Sequence, residues 1–205
     1  MTVDSEQECA ELLAGARAGG EEALGRLLER YRAYLLLLAR VQVGRRLQGK
    51  VDPADLVQET FLEAARHFRQ FRGTSEPELT AWLRQILAGC LTHLLRRYLG
   101  TQARDVRLER ELGGELEQSS QALDRGLIAD QSSPSQRASR REQAVLLADA
   151  LERLPPDYRE AIVLRHIEGL TFPEIASRMG RSVDSVEKLW ARALPKLRRA
   201  LGGQS

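Results

Sequence analysis

Hydrophobic residues recur at three- and four-residue intervals along most of the chain, and no stretch alternates in the two-residue rhythm of a half-buried strand. Residues 5–40 read as two helices broken at Gly19-Gly20, the second striped by Leu24, Leu27, Leu28, Tyr31, Leu35 and Leu38. Val41 to Lys50 reads as a basic connecting stretch or a short helix. Asp52 then suits an N-cap with Pro53 at the first helical position, opening a helix that runs to about Phe71. Its inward face is expected to carry Val57, Phe61, Ala64 and Phe68. The loop FRGTSEP follows, with Ser75 and Glu78 at capping-box spacing. Beyond it Leu79, Trp82, Leu83, Ile86, Leu87, Cys90, Leu91, Leu94, Leu95 and Tyr98 mark one long helix.

The pattern then weakens. Arg104 to Glu117 is charged and compatible with a helix, whereas Gln118–Gln121 and Gln131–Ser135 have linker composition. Periodicity returns with a helix expected from near Pro134, carrying Val145, Ala148, Leu151 and Leu154. Pro155 and Pro156 open the next helix, with Tyr158, Ile162, Val163 and Ile167 at helical spacing and Gly169 as a stop. Thr171 and Glu174 form a second capping box before Ile175, Ala176 and Met179, and Gly180 ends that short helix. Ser182 caps a third, with Val183, Val186, Leu189 or Trp190, Ala193 and Leu197 expected inward. Pro195 should kink this helix around residues 191–194 or end it early. The expected fold is all-α, with two small helical domains, 1–100 and 134–205, joined by a flexible linker over 101–133.

Composition narrows the class. The 205 residues are 42% hydrophobic, enough for packed cores, and 31 Lys and Arg against 29 Asp and Glu leave a net charge of only +2. The charges are segregated: the first thirty residues and Asp52–Glu63 are acid-rich, Arg96–Arg110 and Lys188–Arg199 basic. That suits one basic-surfaced partner and one phosphate-bearing partner, and argues against tight unassisted binding to DNA. Cys9 and Cys90 show neither metal-ligand nor disulfide spacing, and Cys90 falls on an apolar stripe as a small buried residue. No cofactor or metal site is expected. No apolar run is long enough to span a membrane and no signal peptide is evident, so the expected location is the cytoplasm.

Candidate chemistry lies in three places. Two helices joined at a glycine, the second longer and basic at its end, read as a helix-turn-helix, because an α-helix fits the major groove of B-DNA. On the Asp52 helix, Asp55, Gln58, Glu59 and Leu62 share the face opposite the core, a leucine ringed by acceptors that suits a basic partner. On the long helix, Gln85, Thr92 and Arg96, flanked by Arg84 and Arg97, could track a nucleic-acid backbone, and Phe71 beside Arg72 could stack on an unpaired base. Each has a plainer counterpart: a packing hairpin, a solvated face with one stray leucine, a buried phenylalanine.

Taken together, DPADLVQETFLEAARHFRQFRGTSEPELTAWLRQIL, a linker, and LPPDYREAIVLRHIEGLTFPEIASRMGRSVDSVEKLWARAL resemble a bacterial sigma-70 family sigma factor of the extracytoplasmic-function (ECF) group, over nearly the whole chain. The resemblance implies that Asp55, Leu56, Gln58, Glu59 and Leu62 dock on the clamp helices of the largest subunit of core RNA polymerase. It implies that Phe71, Arg72, Gly73, Thr74, Ser75, Trp82, Gln85, Gly89, Arg96 and Arg97 read the promoter −10 element and hold a flipped base. The helix-turn-helix would read the −35 duplex through Thr171, Ser182, Asp184, Ser185, Glu187, Lys188 and Arg192. An anti-sigma protein is a candidate regulator, and the free protein is expected to be a monomer. The chain departs from the family where Gly89 stands for a usual Asn facing the flipped base, His93 for a polar or acidic residue, and Glu187 and Leu189 for basic ones.

The main alternative is a stand-alone helix-turn-helix regulator with an N-terminal helical sensor or dimerisation domain. The Asp55–Glu59 patch and the Trp82 helix weigh against it, since a sensor has no need of both. An enzyme is disfavoured because His67, His93 and His166 are scattered and no glycine-rich phosphate loop is present.

Overall fold

The long leucine stripe is the axis of the N-terminal half. A computed structural model describes residues 2–47, 51–99, 106–125 and 136–202, which are helical apart from short turns, and divides the chain into two units, Met1–Gln118 and Ser119–Ser205. The first unit holds α1 (Thr2–Arg17), α2 (Glu21–Arg30), α3 (Arg32–Arg46), α4 (Pro53–His67), a 3-10 turn (Phe68–Gln70) and α5 (Glu76–Leu99). Leu79, Leu83, Leu87, Leu91 and Leu95 of α5 are all buried, together with Leu27, Leu35 and Leu38 from the preceding helices. Asp52 caps α4 as its sequence suggests, Oδ1 accepting from the Ala54 amide at 2.8 Å.

Two differences from the expected helices have tertiary causes. The stretch 5–40 contains a second break, at Tyr31, whose φ of −95° and ψ of 1° leave the helical region. Tyr31 is fully buried, its hydroxyl donating to Glu76 at 3.1 Å beside the Cys9 sulfur. Burial, reinforced by the Glu76 charge, pushes that phenol far above its ordinary value and keeps it a neutral donor. The stretch from Val41, read as a connection or a short separate helix, is the end of α3, which runs on to Arg46 with Val41, Gln42 and Val43 buried. Residues 48–50 lie outside the described residues.

The expected linker changes most. α6 (Val106–Arg125) continues through Gln118–Gln121, and its part up to Gln118 belongs to the N-terminal unit. Leu112, Leu116 and Leu123 are buried along it. Two ion pairs fasten this helix, Arg46 to Glu115 and Arg84 to Glu117, each at 2.5 Å. Arg84, expected beside a nucleic-acid-tracking face, is buried and also donates to the Tyr34 hydroxyl at 2.9 Å. A guanidinium held in such surroundings needs its full set of acceptors. Expected linker positions 101–105 and 126–135, Pro134 among them, are outside the described residues.

The second unit contains α7 (Gln136–Glu152), α8 (Pro156–Ile162) running into a π-helical turn (Val163–Ile167), α9 (Phe172–Met179) and α10 (Val183–Gly202). Leu164, Ile175, Ala176 and Val186 form a core flanked by Leu170, Phe172 and Met179. Val183, expected inward, is exposed at the start of α10. Pro195 does not end α10, which continues to Gly202. Pro195 and Ala191, whose carbonyl loses its helical donor, are both exposed, so water can satisfy that oxygen. No helix among the described residues is long and apolar enough to cross a membrane.

Leu83 and Leu62 separate packing from exposure on neighbouring helices. Leu83→Ala should cost about 2–5 kcal/mol of stability and lower the urea midpoint. Leu62→Ala should stay within about 0.5 kcal/mol of the parent in the same titration.

Candidate nucleic-acid interface

On α4 the side chains of Asp55, Gln58, Glu59 and Leu62 all reach solvent, with Leu62 51% exposed. Leu56 does not join them. It is fully buried, because the inward face of α4 is centred on Leu56, Val57, Thr60 and Ala64. Thr60 hides its polarity by donating from its hydroxyl to the Leu56 carbonyl at 2.7 Å, which lets a polar residue sit in the core. Phe61, expected at the centre of that face, lies half-buried with the Arg32 guanidinium over its ring at 5.0 Å.

The loop after α4 is built round an aromatic cluster. Phe71 is only 8% exposed, its ring 5.0 Å from Trp82 and 6.0 Å from Phe68. The expected stacking on a base is therefore not open to Phe71, whose ring belongs to the core. Trp82 is half-buried against the same cluster. Gly73 is required by space: a Cβ there would stand 2.5 Å from the Phe71 ring and 2.7 Å from the Glu78 Cβ. Arg17 of α1 donates to the Gly73 carbonyl and lies over the Phe71 ring. Sequence reasoning missed it, since no local signal links residues 56 positions apart. Glu78 closes the loop, accepting from the Thr74 amide at 2.8 Å, the Ser75 amide at 3.0 Å and the Ser75 hydroxyl at 2.7 Å. Arg17, Arg69 and Arg72 line an open groove of about 970 Å³ between the α1–α2 turn and the end of α4.

Along α5, Gln85, His93 and Arg97 are exposed and Gly89 half-exposed, whereas Thr92 is buried and donates to the Ala88 carbonyl. Arg96 is half-buried, and its Nε and Nη2 atoms are buried without a hydrogen-bond partner among the described residues. Cys90 is buried, and desolvation pushes its thiol up to about 11, so it is an inert core group at neutral pH.

In the second unit Glu174 accepts from the Thr171 amide at 2.7 Å and from its hydroxyl at 2.6 Å. Gly180 takes the left-handed conformation (φ 63°) that ends α9 and aims α10. The Ser185 amide donates to the Ser182 hydroxyl at 3.3 Å, capping α10. Ser182, Asp184, Glu187, Lys188 and Arg192 are exposed on its first half and Ser185 is half-buried. Lys188 pairs with Asp184 at 2.7 Å, one turn earlier. Trp190 anchors the helix from its other side, donating to His166 Nε2 at 3.0 Å and meeting Phe172 edge-on at 5.6 Å. Burial, with the Arg165 charge beside it, lowers the His166 pKa and favours the neutral ring that accepts this bond. Among the described residues no cluster of His, Cys, Asp and Glu could hold a metal ion.

A buried helical layer with a polar outer face, followed by a separate helix-turn-helix, is the arrangement of a family shown by comparison. Residues 29–101 match Sigma-70 region 2 and residues 144–197 match Sigma-70, region 4. The RNA polymerase sigma factor CnrH of Cupriavidus metallidurans is 31% identical over 194 residues, covering 95% of this chain and 94% of CnrH. CarQ of Myxococcus xanthus is 30% identical over 91% of this chain and 93% of its own length. The ECF sigma factor BldN of Streptomyces coelicolor is 29% identical over 93% of this chain, which spans 65% of BldN. A solved structure of CnrH in complex with the cytosolic domain of CnrY is 28% identical over 97% of this chain and 99% of that one, at a TM-score of 0.34; another is a complex of RsbN and BldN, 25% identical over 91% and 97%, at 0.31. The chain belongs to the sigma-70 family of RNA polymerase sigma factors, proteins of transcription initiation. Within it, the chain is of the ECF group.

Glu78 and Glu174 perform the same task in the two units, and both carboxyls are held below the ordinary 4.5, chiefly by the Ser75 and Thr171 hydroxyls respectively. Because the folded values are depressed, the stability they confer is present above the unfolded value and is lost as pH falls through the folded one. Melting temperature should decline as pH drops below 4.5. The decline should be shallower for Glu78→Gln and Glu174→Gln, measured by circular dichroism across that range.

Proposed function

We propose that this sigma factor docks on core RNA polymerase through α4, reads a −35 duplex with α10, and captures the non-template strand of the −10 element on the Gly73 loop and α5. The observation that carries it is the α4 patch: Leu62 half-exposed among Asp55, Gln58 and Glu59, within the part of the chain that matches region 2. A solvated face of an ordinary helix gains nothing from a large exposed leucine, whereas a basic helical partner would bury it and pair with the carboxylates.

In this scheme the chain does no covalent chemistry. The Ser75–Glu78 cap holds the loop, and Thr74 and Arg72, both exposed, meet the strand beside the half-buried Trp82. Arg97, exposed near the end of α5, takes phosphate oxygens, with Arg96 beside it. Flipping a base costs a few kcal/mol of stacking, which those contacts offset, so melting follows from binding. The near-neutral net charge fits a protein that borrows DNA affinity from the polymerase. A partner protein that masks these surfaces would regulate a cytoplasmic monomer.

Two measurements test the scheme. Asp55→Arg with Glu59→Arg should weaken core-polymerase binding at least roughly tenfold while the helical spectrum is unchanged. Equal affinity for the reversed and parent proteins would remove α4 from the interface. On duplex −35 DNA, Lys188→Ala and Arg192→Ala should each weaken holoenzyme binding and lower the salt slope by about one. A slope unaffected by both would take α10 out of the groove in this orientation.

A further inference from the structure

α5 carries Gln85, Gly89 and His93 at successive four-residue steps on its outer side. The middle position has no side chain. Among the described residues, and beyond the adjacent residues and backbone of α5 itself, one atom lies within 4 Å of where a Cβ at Gly89 would project, the Glu109 Oε1 at 3.9 Å. Glu109 belongs to α6, and α6 is not loosely placed within the N-terminal unit. Arg46 and Arg84 hold Glu115 and Glu117 at 2.5 Å, and Leu112 and Leu116 are buried on the same helix. The carboxylate is thus delivered to the gap by a fastened helix, yet Glu109 remains exposed and can meet a ligand.

We propose that Glu109 is a specificity-determining residue of the −10 surface, supplying from α6 the polar group that Gly89 does not carry and selecting an unpaired base that bears an exocyclic amine. The proposal rests on the −10 role given to α5 above. An ionised carboxylate accepts hydrogen bonds and donates none. Adenine, cytosine and guanine each offer an amino group to it. Thymine offers one ring N–H set between two carbonyl oxygens, which the carboxylate repels. A base flipped onto the outer face of α5 at Gly89 would approach without steric obstruction from that residue, and its polar edge would be read by Glu109. Arg96 and Arg97, two turns further along α5, offset the negative charge this places near the strand.

The test uses the full-length protein with core polymerase and fork-junction DNA, duplex at −35 and single-stranded at −10. The wild-type holoenzyme first selects its sequence from a pool randomised in both elements. Each −10 position is then varied over four bases and binding is read by fluorescence anisotropy. The wild type should disfavour thymine roughly tenfold at one position. Glu109→Ala should level the four bases there and nowhere else. Glu109→Gln, which can donate as well as accept, should admit thymine. Core binding and −35 affinity should be unchanged in both variants. An unaltered preference in Glu109→Ala overturns the proposal while leaving −10 reading by α5 intact. A uniform gain in binding to all four bases also overturns it, since that marks a helix covering the face rather than reading it. A wild-type holoenzyme that selects no base at −10 overturns both the proposal and the −10 role on which it rests.

Discussion

The buried ladder of α5 is the constraint from which the N-terminal unit follows. Leu79, Leu83, Leu87, Leu91 and Leu95 advance by four residues, which keeps them on one side of the helix against the surrounding helices. Gln85, Gly89, His93 and Arg97 advance by the same step, displaced by two residues and so about 200° around the axis. Once the leucines are inside, the second row has nowhere to point but outward. The polar face of the candidate −10 surface is a by-product of the apolar one. A single-residue slip in the packing of α5 would rotate both rows together and turn half-buried positions such as Arg96 to the front.

Around that axis, the surfaces assigned to ligands are framed by short polar devices rather than by large cores. A glutamate closing on the start of its own helix fixes the loop before α5 and the turn before α9, bonding amide and hydroxyl alike. The device suits a surface that must present groups to a large partner. It satisfies the orphan amides of a helix start locally, leaving the neighbouring side chains free to face outward. α10 is steadied differently, with Trp190 wedged against Phe172 and bonded to His166 on one side while the exposed side stays polar. The C-terminal core is small, and this aromatic contact sets the roll of the helix about its own axis.

Much of this was legible in the sequence because it is local. The caps at Asp52, Ser75, Thr171 and Ser182, the stop at Gly180, and the leucine stripes depend on neighbours within four residues. What escaped notice depends on distant ones. Tyr31 interrupts a helix because its ring and hydroxyl are claimed by Cys9 and Glu76. Leu56 is inward because Thr60, polar on paper, closes its hydroxyl on the backbone and moves the core face round. Arg84 reads as surface until Tyr34 and Glu117 are seen to enclose it. α6 was legible as a possible helix only as far as Glu117; its continuation was hidden by the Ser119-Ser120 pair within Gln118–Gln121, since serine is a weaker helix former, and by a leucine stripe with only Leu123 beyond it. Phe71 was ambiguous in principle, since an aromatic next to arginine serves a core or a base equally well.

The want of space at Gly73 bears on how genetics would read this loop. Any side chain there meets the Phe71 ring and the Glu78 Cβ before it meets DNA. Substitutions at position 73 would disrupt the aromatic cluster from within, although no contacting side chain is lost. A loss-of-function screen would place Gly73 beside Arg72 and Thr74 as though all three made the same contact. The three residues are adjacent in sequence and unlike in kind: two present exposed side chains, and the third is the vacancy on which the loop around them depends.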